Sequence, residues 1–329
     1  MFTFSFLLIL LLTFAFGYLN GVNGAGSVIA TVISSRALKP NAALALALLC
    51  ICAGPFVFGL AVAGTMSTDL VSLSAVTIPL VIATLGGAIG WTALAAWLRL
   101  PCSMTQALIG SLLGTTWIGF GTQAIIPNGA IKALLALLLS PVLGIAAGYI
   151  MVKLFRRMGA STSPRINRWF KTGQVIISLL VALAFGSNDG QKVIGIIALG
   201  VMATSSPSEF NIPSWAAVFA AAAMAAGTLA GSKRLVRTLG SRLYNVQPIH
   251  GFGAQTASSI VLLAASLTGS PVSGSQVIAS AIVGAGSAER IHKVRWGIFQ
   301  QICGAWALTL PLSALTGTLL YMVISRLML

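Results

Sequence analysis

The sequence predicts an all-α, polytopic membrane protein: an inverted-topology repeat of about five plus five membrane elements, with broken helices. Three observations predict it. The 329 residues are 57% hydrophobic and 7% charged, with four acidic side chains, Asp69, Asp189, Glu209 and Glu289, and the mean hydropathy is +0.98. That is too little polar surface to cover a water-soluble domain of this length. Apolar runs near the roughly 20 residues a helix needs to span hydrocarbon recur along the chain. Two motifs occur twice, once in each half. No run alternates in polarity as a membrane strand does, and backbone in lipid must pair internally, which leaves helices.

The first run, 4–16 in MFTFSFLLILLLTFAFG, lacks the basic flank and small-residue cleavage pattern of a secretory signal and reads as a membrane helix. Runs 41–63, 76–98, 131–152, 212–230 and 296–323 follow, each largely free of charge. Between them lie basic loops: Lys153, Arg156, Arg157, Arg165, Arg168 and Lys171; Lys233, Arg234, Arg237 and Arg242; and Arg290, Lys293 and Arg295. Much of the net charge of +15 sits there, and basic loops beside membrane helices face the cytoplasm. They carry no interleaved aromatics to stack on bases, so the expected partner is the lipid bilayer and not nucleic acid. Residues 153–171 then form a cytoplasmic linker between a first repeat, 1–152, and a second, 172–329, in a multi-pass protein of the cytoplasmic membrane. Arg36, Lys39 and Arg99 also fall inside, while 65–75, 121–130, 205–211, 267–270 and both termini fall outside. This path needs 101–120 and 271–288 each to cross once; whether they are single spans or re-entrant helical hairpins stays open. An odd number of crossings per half inverts one half relative to the other. Cys50, Cys52, Cys102 and Cys303 show no metal spacing and read as small buried hydrophobes.

The echoes support the inversion. GVNGAGSVIA (21–30) matches GSNDGQKVIG (186–195) at glycine, asparagine, valine and isoleucine, and PCSMTQALI (101–109) matches PVSGSQVIA (271–279) at proline, serine, hydroxyl and glutamine. Glycine and asparagine inside a membrane helix weaken it, so 21–27 and 186–192 are expected to interrupt their helices near the bilayer centre. Proline followed by Ser or Thr suits a helix start, whose unpaired N–H groups attract anions. Four such features converging near the midplane suit a secondary transporter of a small oxyanion. Asp189 and Lys192 are charges in apolar surroundings, where each costs about 2.5–3.5 kcal/mol on insertion scales. Lys192 is read as attracting the anion, Asp189 as accepting a proton or helping hold a cation, and Asn23 and Ser27 as neutral hydrogen-bonding groups.

These motifs, with the runs 249–286 and 293–311, resemble the inorganic phosphate transporter (PiT) family over nearly the whole chain. The resemblance implies an inverted-repeat carrier of phosphate coupled to H+ or Na+, with no other cofactor. The implied site residues are Asn23, Ser103, Thr105, Asn188, Asp189, Gln191, Ser273 and Ser275, with coupling through Asp189, Asn188 and Asn23 and a sodium site, if there is one, near Asp189. The chain departs from the family pattern at Gly24 (usually Asp), Gly64 and Gln255 (usually Glu), and Gln106 and Gln276 (usually His). Gln106, Gln276 and Gln255 are therefore further site candidates. Lost carboxylates weaken the case for sodium and leave sulfate as an alternative substrate, because sulfate needs only donors whereas phosphate also needs an acceptor for its O–H. An anion channel is the third reading, disfavoured because the polar residues form four short motifs and not a continuous pore. No nucleophile, base or metal set marks an enzyme, and no Gly-Lys-Ser/Thr motif binds ATP. A homodimer is left open.

Overall fold

The structure is a computed structural model that describes residues 4–159, 166–205, 212–242 and 247–328. Parts of the expected linker (Arg165 among them) and most of the outside loop 205–211 lie outside these residues. The described chain is helical, with one isolated antiparallel bridge, Val71 to Ile125. The helices are α1 (Phe4–Ser34), α2 (Pro40–Val57), α3 (Ala61–Gly64), α4 (Ile78–Trp97), α5 (Met104–Phe120), α6 (Pro127–Gly159), α7 (Ile166–Ser205), α8 (Ala216–Arg242), α9 (Pro248–Leu267), α10 (Gly274–Glu289) and α11 (Trp296–Met328). Six of them are long and apolar enough to cross a membrane. Proline opens α2, α6 and α9, where its missing N–H costs nothing.

The expected breaks at 21–27 and 186–192 are absent: α1 and α7 run through both motifs without interruption. Their glycines admit neighbouring helices instead, as small residues do in membrane interfaces. A Cβ on Gly21 would strike the Met224 carbonyl of α8, one on Gly186 the backbone of Ile51 in α2, and one on Gly190 would lie 2.6 Å from Pro55. The break lies elsewhere, in the run read as a single span over 41–63. There α2, which contains Pro55, ends at Val57, Gly59 turns at φ +73°, and α3 leads into a π-helical turn, Thr65–Asp69.

Contacts between helix ends fix the course of the chain. The end of α6, the start of α7 and the start of α9 meet through the rings of Phe155, Phe170 and Phe252, and Ser35 after α1 donates to Gln174 of α7 at 2.7 Å; these define the linker face. On the opposite face Phe6 packs against Trp215, just before α8. There too Ser72 N donates to Ala124 O at 2.8 Å and Ile126 N to Leu70 O at 3.0 Å, so α4 starts where α5 ends. His250 Nε2 lies 3.4 Å from Glu289 Oε2, so α9 starts where α10 ends, on the linker face. The segments 101–120 and 271–288 are therefore return arms of two helical hairpins, α4–α5 and α9–α10, that enter from opposite faces: of the two readings left open the structure gives the hairpins, and it corrects the expected positions of Arg99 (inside) and 267–270 (outside), which lie at the hairpin tips. Their arms α5 and α10 are 17 and 16 residues long, about 24 Å at 1.5 Å per residue, and the hairpin tips at 98–103 and 268–273 meet each other between the two faces, Ser103 against Ser273 and Thr105 against Val272.

Four parallel seams hold the bundle, each joining one helix from the first half of the chain to one from the second: α1 with α8, α2 with α7, α5 with α11 and α6 with α10. Glycines line each of them. Gly227 sits against Tyr18, Gly54 against Gly186, Gly114 against Ala314, and Gly148 against Ala281.

Candidate functional site

The charged pair of α7 lies where the hairpin tips meet. Asp189 and Lys192 are 2% and 0% exposed. Three residues apart on an unbroken helix they share a face, and the Lys192 ammonium donates to Asp189 Oδ1. Lys192 Nζ also donates to Thr105 Oγ1 at 2.8 Å and to Val272 O at 2.7 Å. Thr105 lies in the first turn of α5 and Val272 in the tip of the second hairpin, so one lysine ties both tips to α7. Asn188 adds a third tie, its Nδ2 donating to Ser270 O at 3.2 Å. Asn20 of α1 is close to the same carboxylate, its buried Nδ2 without a hydrogen-bond partner.

The tips also touch directly. Ser103 caps α5 by accepting from Gln106 N at 3.2 Å, and it donates to Ser273 Oγ at 2.9 Å. Ser273 directly precedes α10, with Ser275 Oγ 3.4 Å away. Two helix N-termini, one from each half, thus converge on a shared pair of hydroxyls beside an ammonium. Unpaired N–H groups and the positive end of the helix dipole make such a point attractive to an anion. Buried polar atoms without partners stand close by: Asn188 Oδ1, Gln106 Oε1 and Gln276 Nε2, the last two in the first turns of α5 and α10. Orphaned atoms of this kind cost free energy unless water or a ligand completes them.

The expected residues divide into two sets. Ser103, Thr105, Asn188, Asp189, Lys192, Ser273 and Ser275 come together, with Gln106 and Gln276 one turn away; Gln276 Oε1 also accepts from Ser140 of α6 at 3.4 Å. Gln191 is engaged elsewhere. Its Oε1 accepts from Val62 N at 2.8 Å and Ala63 N at 3.4 Å, capping α3 after the break, and its Nε2 donates to Ser187 Oγ at 3.0 Å. Gln191→Ala strands those buried N–H groups and is expected to lower stability by about 1–3 kcal/mol, read as a fall in the thermal unfolding midpoint in detergent. Gln255, in mid-α9, is 1% exposed with both amide atoms unpartnered. Ser27 is buried and Asn23 half-buried on α1, neither hydrogen-bonded to the tips.

Two residues escape a reading of the sequence. Asn20 precedes the first motif; an unbroken 3.6-residue periodicity, in place of a break, puts it on the face of Gly17 and Gly24. Phe185 is the second. A Cβ on Gly24 would overlap its ring, and one on Gly274 would lie 2.6 Å from it, so an aromatic ring fills the place where the family resemblance implied a first-half carboxylate. Around Gly64, by contrast, a Cβ would meet nothing within 4 Å.

Comparison with known proteins agrees with this architecture. The model of the phosphate transporter family matches residues 20–317. A Rhizobium meliloti protein named "Probable low-affinity inorganic phosphate transporter" is 36% identical over 308 residues, covering 93% of this chain and 92% of its own. A Bacillus subtilis protein of the same name is 30% identical over 324 residues, 97% of each chain. A solved structure named "The sodium-dependent phosphate transporter" superposes with a TM-score of 0.88 at 20% identity, over 99% of this chain and 100% of the other, and shares the fold. The chain is a multi-pass membrane protein that belongs to the phosphate transporter family, a family of transporters and not of enzymes.

Proposed function

We propose that the protein is a secondary active transporter that imports inorganic phosphate across the cytoplasmic membrane by symport with a cation, H+ or Na+. The anion binds near the bilayer midplane between the hairpin tips. The observation that carries this reading is the meeting of Ser103 and Ser273 at 2.9 Å, which brings two helix N-termini to one point beside Lys192. The two hydroxyls hydrogen-bond each other when no anion is there and turn to an oxyanion when one enters. Asp189 supplies the acceptor that a phosphate O–H needs and sulfate does not. Phosphate is also the substrate in the relatives' names, and the similar solved structure is named as sodium-dependent.

The reciprocal seams support reading α1–α6 and α7–α11 as halves of an inverted repeat: exchanging the halves turns the α1–α8 seam into α7–α2, and α5–α11 into α10–α6. The linker face is the cytoplasmic one, because Arg36, Lys39, Lys153, Arg156, Arg157, Arg290 and Arg295 lie at helix ends on that face.

The test is uptake and counterflow of labelled phosphate in proteoliposomes, with sulfate as competitor. Ser103→Ala and Ser273→Ala are each expected to raise the half-saturating phosphate concentration about tenfold, the worth of one hydrogen bond to a charged group, with little change in the unfolding midpoint. A double variant with unchanged affinity, or a wild-type protein that moves no phosphate, overturns the reading.

A further inference from the structure

We infer that the Lys192 ammonium is a coupling cation built into the chain: it occupies the oxygen cage that a symported sodium ion would need, so phosphate moves through this carrier without sodium. The inference rests on the phosphate reading above and narrows its choice of cation to the proton.

Three oxygens of three kinds receive the ammonium: the Asp189 carboxylate, the Thr105 hydroxyl at 2.8 Å and the Val272 carbonyl at 2.7 Å. An ammonium has three protons and no acceptor, so all three are placed. Carboxylate, hydroxyl and backbone carbonyl are also the groups from which proteins build sites for hard cations. They come from three separate elements, α7, the start of α5 and the second hairpin tip, an arrangement that gathers ligands around one point. The ammonium is fully buried and tethered three residues from its carboxylate. A sodium ion entering here would have to expel a charge that cannot leave.

Among the described residues no second carboxylate stands in this cluster to replace Asp189 as a sodium ligand. The echo of Asp189 in the first half is Gly24, and the Phe185 ring fills the space beside it. Apart from the Asp189–Lys192 pair, the only buried ionisable acid or base among the described residues is His250, which lies beside Glu289 at the linker face. With Lys192 countering Asp189 the empty site is neutral, and an incoming phosphate brings its own compensating charge as protons. The ammonium lies between the carboxylate and the hydroxyls of the tips, where a co-transported cation would bridge protein and anion.

Three outcomes of one experiment decide it. Phosphate counterflow is measured in proteoliposomes with sodium on both sides and with sodium replaced by choline. The wild-type protein is expected to exchange phosphate equally well in both, and an imposed inward proton gradient is expected to drive net uptake. Lys192→Ala empties the cage and leaves the carboxylate unmatched; this variant is expected to lose exchange at least tenfold in choline and recover it in sodium. Sodium, and not choline, is then also expected to raise the unfolding midpoint of Lys192→Ala in detergent while leaving the wild type unmoved, a reading that needs no transport. Wild-type exchange that falls several-fold in choline overturns the inference while the phosphate reading stands. So does a folded Lys192→Ala protein whose midpoint ignores sodium. No exchange of phosphate in either medium overturns both.

Discussion

Asp189→Asn is expected to cut phosphate uptake at least a hundredfold. The substitution keeps the size and one oxygen of the side chain but removes its charge, and the partner left behind is an ammonium at 0% exposure. Breaking a buried ion pair from one side costs about 3–5 kcal/mol, most of it the penalty of the stranded charge. Lys192 would keep its bonds to Thr105 and Val272, so the tips stay gathered while the balance of charge around the anion site is lost. Phosphate is then held by an uncompensated cation and released slowly, which stops turnover even if binding survives. Binding and transport therefore separate: equilibrium binding of labelled phosphate to the purified variant is expected to persist while counterflow disappears. A variant with full counterflow would remove Asp189 from the site.

The second large effect is structural. Gly186→Val is expected to prevent formation of a stable protein, because a Cβ there would be driven into the backbone of Ile51 while Gly54 of the same helix lies against the backbone of residues 186–187. Overpacking alone costs about 1–3 kcal/mol. Here the displaced helix, α2, also leads into α3, whose cap, Gln191, lies on α7 five residues after the substitution. The measurement is the unfolding midpoint and the gel-filtration profile in detergent. Gly90→Val is the control: a Cβ on Gly90 of α4 meets nothing within 4 Å, and that variant is expected to elute as the wild type does.

The same glycines explain what the sequence disclosed and what it hid. Long apolar runs and the doubled motifs make the helices, the membrane and the pairing of Ser103 with Ser273 legible, since composition and repetition are local properties. The glycines of the first motif pair read as helix breakers from their intrinsic cost, about 1 kcal/mol each. That cost is offset by close packing of neighbouring helices, which is a tertiary effect. The hairpins are hidden for a different reason. The positive-inside rule constrains the parity of crossings, and replacing two crossings by a hairpin leaves parity unchanged, so the loops rich in Lys and Arg keep their side while Arg99, a single basic residue, sits at a hairpin tip instead. Lys192 stands out as a charge, but its partners Thr105 and Val272 lie 87 and 80 residues away in sequence, and only the fold brings them within reach. Gln191 looks like a ligand-binding residue because it lies in the motif with Asn188, Asp189 and Lys192; on a continuous helix one residue is a turn of about 100°, enough to point it at α3 instead.

The four glycine seams carry a consequence for how such a protein can change shape. The four most extensive helix pairings each join one half of the chain to the other, so neither half is a mechanical body by itself. A saw cut through the linker would separate nothing: α5 would remain keyed to α11 and α6 to α10 along their lengths. The pieces able to shift as units are mixed ones, one hairpin together with the long helix of the other half that it rides on. The site lies where two such pieces abut, at a joint made by Ser103 with Ser273, Thr105 with Val272 and the Lys192 ammonium between them. Opening that joint toward one face would leave every seam intact, so the alternation expected of the proposed carrier needs no unzipping of its scaffold.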